Sequence, residues 1–273
     1  MLVALFACDG GDGDGSDPTP ASRTGVVVSA AEATVETGAV ALDMTVEFAG
    51  TSQVPDGTKI GMTGRSTFGD PRTAELHADF EALGVGSIDM LIDDQDIYMR
   101  GGVIDQVLRS AKGGADWLYV DLSSSSRAVE QFADLSSGQN DASLLLYFLF
   151  GTTGDVDEAG SDTIDGVEAT RYSTTADLDA ALADAPPEVR DSLELNISQL
   201  EAQGVETRLD ADVWIDGDGL IRQVAYAYRL SAESGGGEMR TTATFSEFGE
   251  PIRLDLPDRA DVIDVTELQG KAT

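Results

Sequence analysis

Few residues in this chain could do acid–base or nucleophilic chemistry: there is one histidine, His77, and one cysteine, Cys8. His77 has carboxylates around it at alternating spacing, in Glu75, Asp79 and Glu81. A histidine among acids could hold a metal ion or relay a proton. Zinc, however, recruits further His or Cys, and the chain offers only Cys8. A proton-transfer site also needs a third, orienting group in a cleft. The alternation instead places His77 and its acidic neighbours on one solvated face of a strand. The run Ser123-Ser-Ser-Ser126 lacks a general base, since one histidine would have to serve every triad, and is expected to cap a helix. Asp216-Gly-Asp-Gly219 has the look of a calcium loop. With Gly219 as the sixth loop residue, the first would be Trp214 and the twelfth Ala225, neither an oxygen donor, so a hairpin turn is expected. No glycine-rich phosphate loop occurs. Neither an enzyme activity, a metal nor a cofactor is expected.

Cys8 has a different chemistry open to it. Being alone, it can form no intramolecular disulfide. The apolar run Met1–Ala7 ends directly at it, and the composition then changes to Asp9-Gly-Gly-Asp-Gly-Asp-Gly-Ser-Asp-Pro-Thr-Pro20. Leu5-Phe6-Ala7-Cys8 resembles a lipobox, the signal for acylation of the thiol and cleavage before it, with palmitate as the expected type of chain. Leu5 and Ala7 fit the pattern, whereas Phe6 is bulkier than the residue usual there. No Lys or Arg precedes the apolar run, so the translation start is expected further upstream. Residues 1–8 are therefore read as a truncated signal and lipobox, 9–25 as a flexible acidic Gly-rich linker, and 26–273 as one domain. The linker cannot bury a core, and would hold the domain about 20–25 Å from its anchor. The expected location is the extracytoplasmic face of the cell membrane, lipid-anchored through Cys8.

Charge narrows the partners. Fifty acidic residues against 17 basic ones give a net charge of −33. No nucleic-acid partner is expected, because phosphate contacts need clustered Lys and Arg. The same charge opposes electrostatic adhesion to anionic lipid.

The strongest pattern downstream is period-two alternation. In Ala39–Phe48, residues Val40, Leu42, Met44, Val46 and Phe48 share one face, and Asp43, Thr45 and Glu47 the other. Lys59–Phe68, Ala74–Ala82, Ile88–Ile92, Ile97–Met99 and Trp117–Leu122 continue it. Later come Val205–Ile215, Leu220–Leu230, with Val224, Tyr226 and Tyr228 in line, and Met239–Phe248. Helical stretches are expected at Ser125–Leu135, Ala142–Phe150, Ala176–Ala183 and Glu188–Gln203. Asp177 and Pro187 are start signals and Gly204 a stop. The apolar run Leu144–Phe150 is far short of the ~20 residues that a membrane span needs. One-sided alternation over many strands means an antiparallel sheet covered on one face. The expected class is α+β: a curved antiparallel half-barrel with helices over its concave face.

The order Thr163-Ile-Asp-Gly-Val-Glu-Ala-Thr-Arg-Tyr172, then Asp212-Val-Trp-Ile-Asp-Gly-Asp-Gly-Leu-Ile-Arg222, then Phe245-Ser-Glu-Phe-Gly-Glu-Pro251 resembles the actinobacterial LppX/LprAFG-type lipoproteins. The resemblance covers approximately residues 26 to 268 and extends, more remotely, to the LolA/LolB lipoprotein carriers. It implies a hydrophobic cavity for acyl chains, a lipid or glycolipid ligand, and no catalytic residues. The residues it would place around that cavity are Val40, Leu42, Met44, Val46, Leu145, Phe148, Phe150, Val224, Tyr226 and Tyr228. Residue types alone favour packed core over ligand contact for Met44, Met62, Phe80, Met90, Phe148 and Tyr226, and only the resemblance raises the cavity reading. The alternative reading is a ligand-sensing or partner-binding envelope module of the same fold, with another envelope protein as its partner and no cargo.

Overall fold

A computed structural model describes residues 20–269 apart from 53, 70, 111–113, 125–141 and 233–234. The helix expected at Ser125–Leu135, and Cys8 with its motif, lie outside the described residues. The strands are β1 (Ala39–Ala49), β2 (Lys59–Thr67), β3 (Thr73–Phe80), β4 (Gly86–Asp93), β5 (Asp96–Gly101), β6 (Trp117–Asp121), β7 (Thr152–Ile164), β8 (Val167–Asp177), β9 (Arg208–Asp216), β10 (Ile221–Arg229), β11 (Glu238–Ser246) and β12 (Val262–Asp264). They form one open sheet in the order β12-β6-β5-β4-β3-β2-β1-β11-β10-β9-β8-β7, antiparallel except where β12 joins β6. Two meanders thus meet at a central seam where β1 pairs with β11.

Register explains why one face is apolar throughout. Met44 lies opposite Met62 on one side and Ala243 on the other, and Leu42 opposite Phe245. Ala78 then faces Met62, Met90 faces Leu76, and Ile97 faces Ile92. A side-chain period of two carries this match from strand to strand, and a slip by one residue would invert it. The opposite face holds ion pairs such as Lys59–Glu47, Arg65–Glu247 and Arg171–Asp212.

Helices α1 (Pro20–Glu36), α2 (Gly102–Ser110), α3 (Ala142–Tyr147), α4 (Leu178–Asp184), α5 (Pro187–Ala202) and α6 (Val265–Gln269) complete the fold. The start of α1 corrects the expectation that the linker runs to residue 25, since the chain is helical from Pro20. Its buried stripe is Val27, Ala30, Ala31 and Thr34, at helical spacing, and it packs across β7, β9 and β10 and against α3. The Thr34 hydroxyl accepts from the Ile221 amide at 2.9 Å, tying α1 to the start of β10. The Asp177 carboxylate caps α4 by accepting from the amides of Asp179 and Ala180, and Pro187 opens α5. Gly204 (φ +76) follows α5, and its amide bonds to the Glu201 carbonyl at 2.8 Å. Residues 143–149, in α3 and the single 3₁₀ turn after it, are all buried, so this segment is a plug against the sheet rather than an amphipathic surface helix.

Gly151 and Gly64 are two of the glycines at which the backbone comes closest to its neighbours. Gly151 ends that turn where an added Cβ would lie 2.0 Å from the Asp177 carbonyl oxygen and 2.6 Å from the Ala181 amide nitrogen. Gly64, inside β2 between Leu42 and Leu76, has φ +153, and an added Cβ would sit 2.0 Å from the Glu75 carbonyl oxygen. Gly64→Ala is expected to destabilise the protein by about 2 kcal/mol or more, from backbone strain and a clash that no side-chain rotation relieves. Urea unfolding measures it, and a change under about 0.5 kcal/mol would contradict the tight bend at this position.

Candidate apolar binding cavity

Where the plug and α5 stand off the central strands, they leave a cavity of about 260 Å³. That is a little below the ~300–1,000 Å³ typical of small-molecule sites. Its floor is Met44, Val46 and Phe48 of β1, Ile60, Gly61 and Met62 of β2, Ala78 and Phe80 of β3, Tyr228 of β10, and Met239 and Thr241 of β11. Its roof is Leu144, Leu145 and Phe148 on the plug, with Asn196 and Leu200 on α5 and Gln203 at its C-cap. None of these side chains is charged.

Of the ten residues named for a cavity from the sequence, the structure brings Met44, Val46, Leu145, Phe148 and Tyr228 to its wall. The other five lie elsewhere. Val40, Leu42, Val224 and Tyr226 are buried at 0–3% exposure in the packed core beyond the cavity, and Phe150 is half-buried, edge-on to Tyr147. The reason is longitudinal. All of β1's even-numbered residues share the apolar face, but Val40 and Leu42 at its start lie in the packed core, and only Met44, Val46 and Phe48 further along reach the cavity. Face is legible from alternation; position along the strand relative to a helix is not.

Tyr226 fixes the plug. Its hydroxyl donates to the Leu145 carbonyl at 2.7 Å, and its ring meets Phe148 edge-on at 5.7 Å between centroids. Burial pushes its phenol well above the ordinary tyrosine range, so it stays a neutral donor. Tyr228, two residues on, lines the cavity. Burial raises its phenol too, with the Thr241 side chain acting in the other direction.

Sequence reasoning missed the polar part of the wall. Asn196 is 8% exposed and sits three residues after Leu193 and four before Leu200, on the stripe of α5 that faces inward. An amide inside an otherwise apolar helical stripe is the signal that could have found it.

The acidic face is built differently. His77 Nδ1 and Asp89 Oδ1 are 2.7 Å apart, and Arg100 Nε donates to Asp89 Oδ2 at 2.8 Å while its guanidinium lies 4.5 Å over the Trp117 ring. The hydrogen bond to His77 holds the Asp89 carboxyl below the usual carboxylate range; burial opposes this and Arg100 adds to it. The His77 side chain is 54% exposed, on the solvent side that alternation assigned to it. Among the described residues no group of three or more His, Cys, Asp or Glu is placed to hold a metal ion. Asp216 closes the β9–β10 hairpin, accepting from the amides of Asp218 and Leu220. His77→Ala is expected to cost no more than about 0.5 kcal/mol at neutral pH. A depressed carboxyl stabilises the fold above the ordinary carboxylate pKa and loses that contribution as pH falls through its folded value. The variant should therefore raise the Asp89 titration in a carboxyl NMR experiment. An unmoved Asp89 or a loss of several kcal/mol would contradict this geometry.

No family profile matches this chain. Over 261 residues, 92% of this chain and 79% of the relative, it is 26% identical to an uncharacterized 31.2 kDa protein in the rplA-rplJ intergenic region of Streptomyces griseus. The Mycobacterium tuberculosis lipoprotein LppX is similar at 14% identity, over 85% of this chain and 99% of LppX, with a TM-score of 0.46. LprF from Mycobacterium bovis is similar at 15% identity, over 89% of this chain and 99% of LprF, with a TM-score of 0.51. The open, helix-covered sheet of this chain is thus the fold of LprF, the LppX/LprAFG type that its turn and strand motifs resemble.

Proposed function

We propose that this protein is an envelope lipoprotein that holds a lipid or glycolipid in the cavity between its central strands and the α3 and α5 helices. One observation carries the reading: the cavity wall contains seventeen residues, none charged, in a protein whose net charge is −33. Open apolar surface of that kind is costly in water unless something apolar covers it. Burial of each methylene contributes about 0.8 kcal/mol, so a chain can be held without any charged contact. The LprF-like fold, an open sheet with helices over its apolar face, is compatible with the same reading. Shielding an apolar chain from water is also what carriage across the envelope requires, and we assign that role to the protein. No helix among the described residues is long and apolar enough to cross a membrane, and the tether in this reading is the acylated thiol of Cys8.

Two experiments test it. Cys8→Ser, expressed from the full gene, should move the protein from the membrane to the soluble fraction with an unchanged melting temperature. Unaltered membrane association would remove the tether. Dispersed monoacylglycerol should raise the melting temperature of lipid-extracted protein in a concentration-dependent way, as a ligand of the folded state must. A melting temperature indifferent to every lipid tried would favour the partner-binding module instead.

A further inference from the structure

We propose that the ligand held here carries an uncharged polar head with hydroxyl or ester oxygens, and that anionic lipids of the same chain are rejected. This rests on the lipid-binding reading and specifies which lipids satisfy it.

The inside of the cavity comes first. Its polar groups are the amides of Asn196 and Gln203, the Thr241 hydroxyl and the Tyr228 phenol. Asn196, Thr241 and Tyr228 are 8%, 6% and 3% exposed, so they meet a ligand in a medium of low dielectric. All four are neutral, and the burial that raises the Tyr228 phenol keeps it protonated. Amides and hydroxyls match the oxygens of an ester or an alcohol. They offer no countercharge to a carboxylate or phosphate, and an ion taken from water without one is strongly disfavoured.

The end of helix α5 at the opening gives the same answer. Glu201, exposed beside the wall residue Leu200, is the acidic group in the last turn of α5. Helix α5 ends at the cavity, at Gln203, with no basic residue in its last turn, so its carbonyl end adds negative potential at the opening. An anionic head would meet neutral groups inside and negative field outside. A cationic head would be drawn to the rim, yet no wall carboxylate could receive it further in.

The test uses lipid-extracted full-length protein and isothermal titration below each probe's micelle concentration. The probes share one acyl chain: 1-monopalmitoylglycerol, palmitate and palmitoyl-lysophosphatidylglycerol. The neutral probe should bind about tenfold or more tightly than either anion at neutral pH. Gln203 is exposed at the opening, so Gln203→Lys should fold normally, as melting will verify, and should narrow the gap by strengthening palmitate binding. Palmitate or the lysophospholipid binding as tightly as the monoglyceride would overturn the head-group assignment and leave lipid binding intact. Failure of all three to bind would overturn the lipid reading and this assignment with it.

Discussion

Met44→Trp is expected to lower lipid affinity on the order of 100-fold while leaving the protein folded. Met44 lies mid-β1 with Met62 and Ala243 as cross-strand partners, and its side chain forms part of the cavity wall rather than the packed interior. An indole there projects into space that already exists. The usual cost of overpacking, about 1–3 kcal/mol, should therefore fall to the low end or below it. The ligand loses the room the ring takes. Displacing about three or four methylenes at ~0.8 kcal/mol each accounts for the drop in affinity. Lipid uptake and thermal melting on the same preparation separate the two effects. If the wild type takes up nothing and Met44→Trp only lowers the melting temperature, these residues are ordinary core.

Asp216→Ala should destabilise the fold by about 3–4 kcal/mol, more than any surface ion pair would suggest. The Asp216 side chain is 2% exposed. Its Oδ1 accepts from the amides of Asp218 and Leu220 at 2.9 and 3.0 Å, and its Oδ2 pairs with the Arg222 guanidinium at 2.5 Å. Arg222 is itself largely covered, lying 4.7 Å over the Phe248 ring. Alanine would orphan two amides and a guanidinium together. Asp216→Asn, which retains an acceptor for the amides, should lose about half as much. Equal losses in the two variants would mean that the charge pair alone matters, and a loss under about 1 kcal/mol would show that the hairpin closes without it.

Nine of the twelve strands are visible as alternation because each has one buried and one solvated face. In β9, for example, Leu209, Ala211, Val213 and Ile215 point inward and Asp210 and Asp212 outward. Strand β7 is invisible by the same test. It forms the edge of the sheet, its pairing with β8 shifts register twice, and only Thr152 and Val156 are buried among Asp155, Asp157, Glu158 and Asp162. Charges and bulges suit an edge strand and erase its period. Helix α1 hides for another reason: its inward stripe is mostly Ala and Thr, residues small enough to let it lie close over β9 and β10, and Val26 and Val28 blur the contrast. Helix α2 is amphipathic, with Ile104 and Leu108 buried one turn apart, but its nine residues are short enough to pass for the loop between β5 and β6. The candidate cavity is half legible. Apolar faces are set by residue type, but which apolar residues line a gap, as Phe148 and Met44 do, and which are packed is decided by tertiary packing.

The central claim is that the cavity holds a lipid, and native mass spectrometry of the protein purified from its own membranes tests it most directly. The wild type should carry a non-covalent adduct of lipid mass, removable by organic extraction, and Met44→Trp prepared identically should carry little or none. A wild-type spectrum at the bare polypeptide mass, apart from any covalent acyl group, would contradict the claim, as would an adduct that persists undiminished in Met44→Trp.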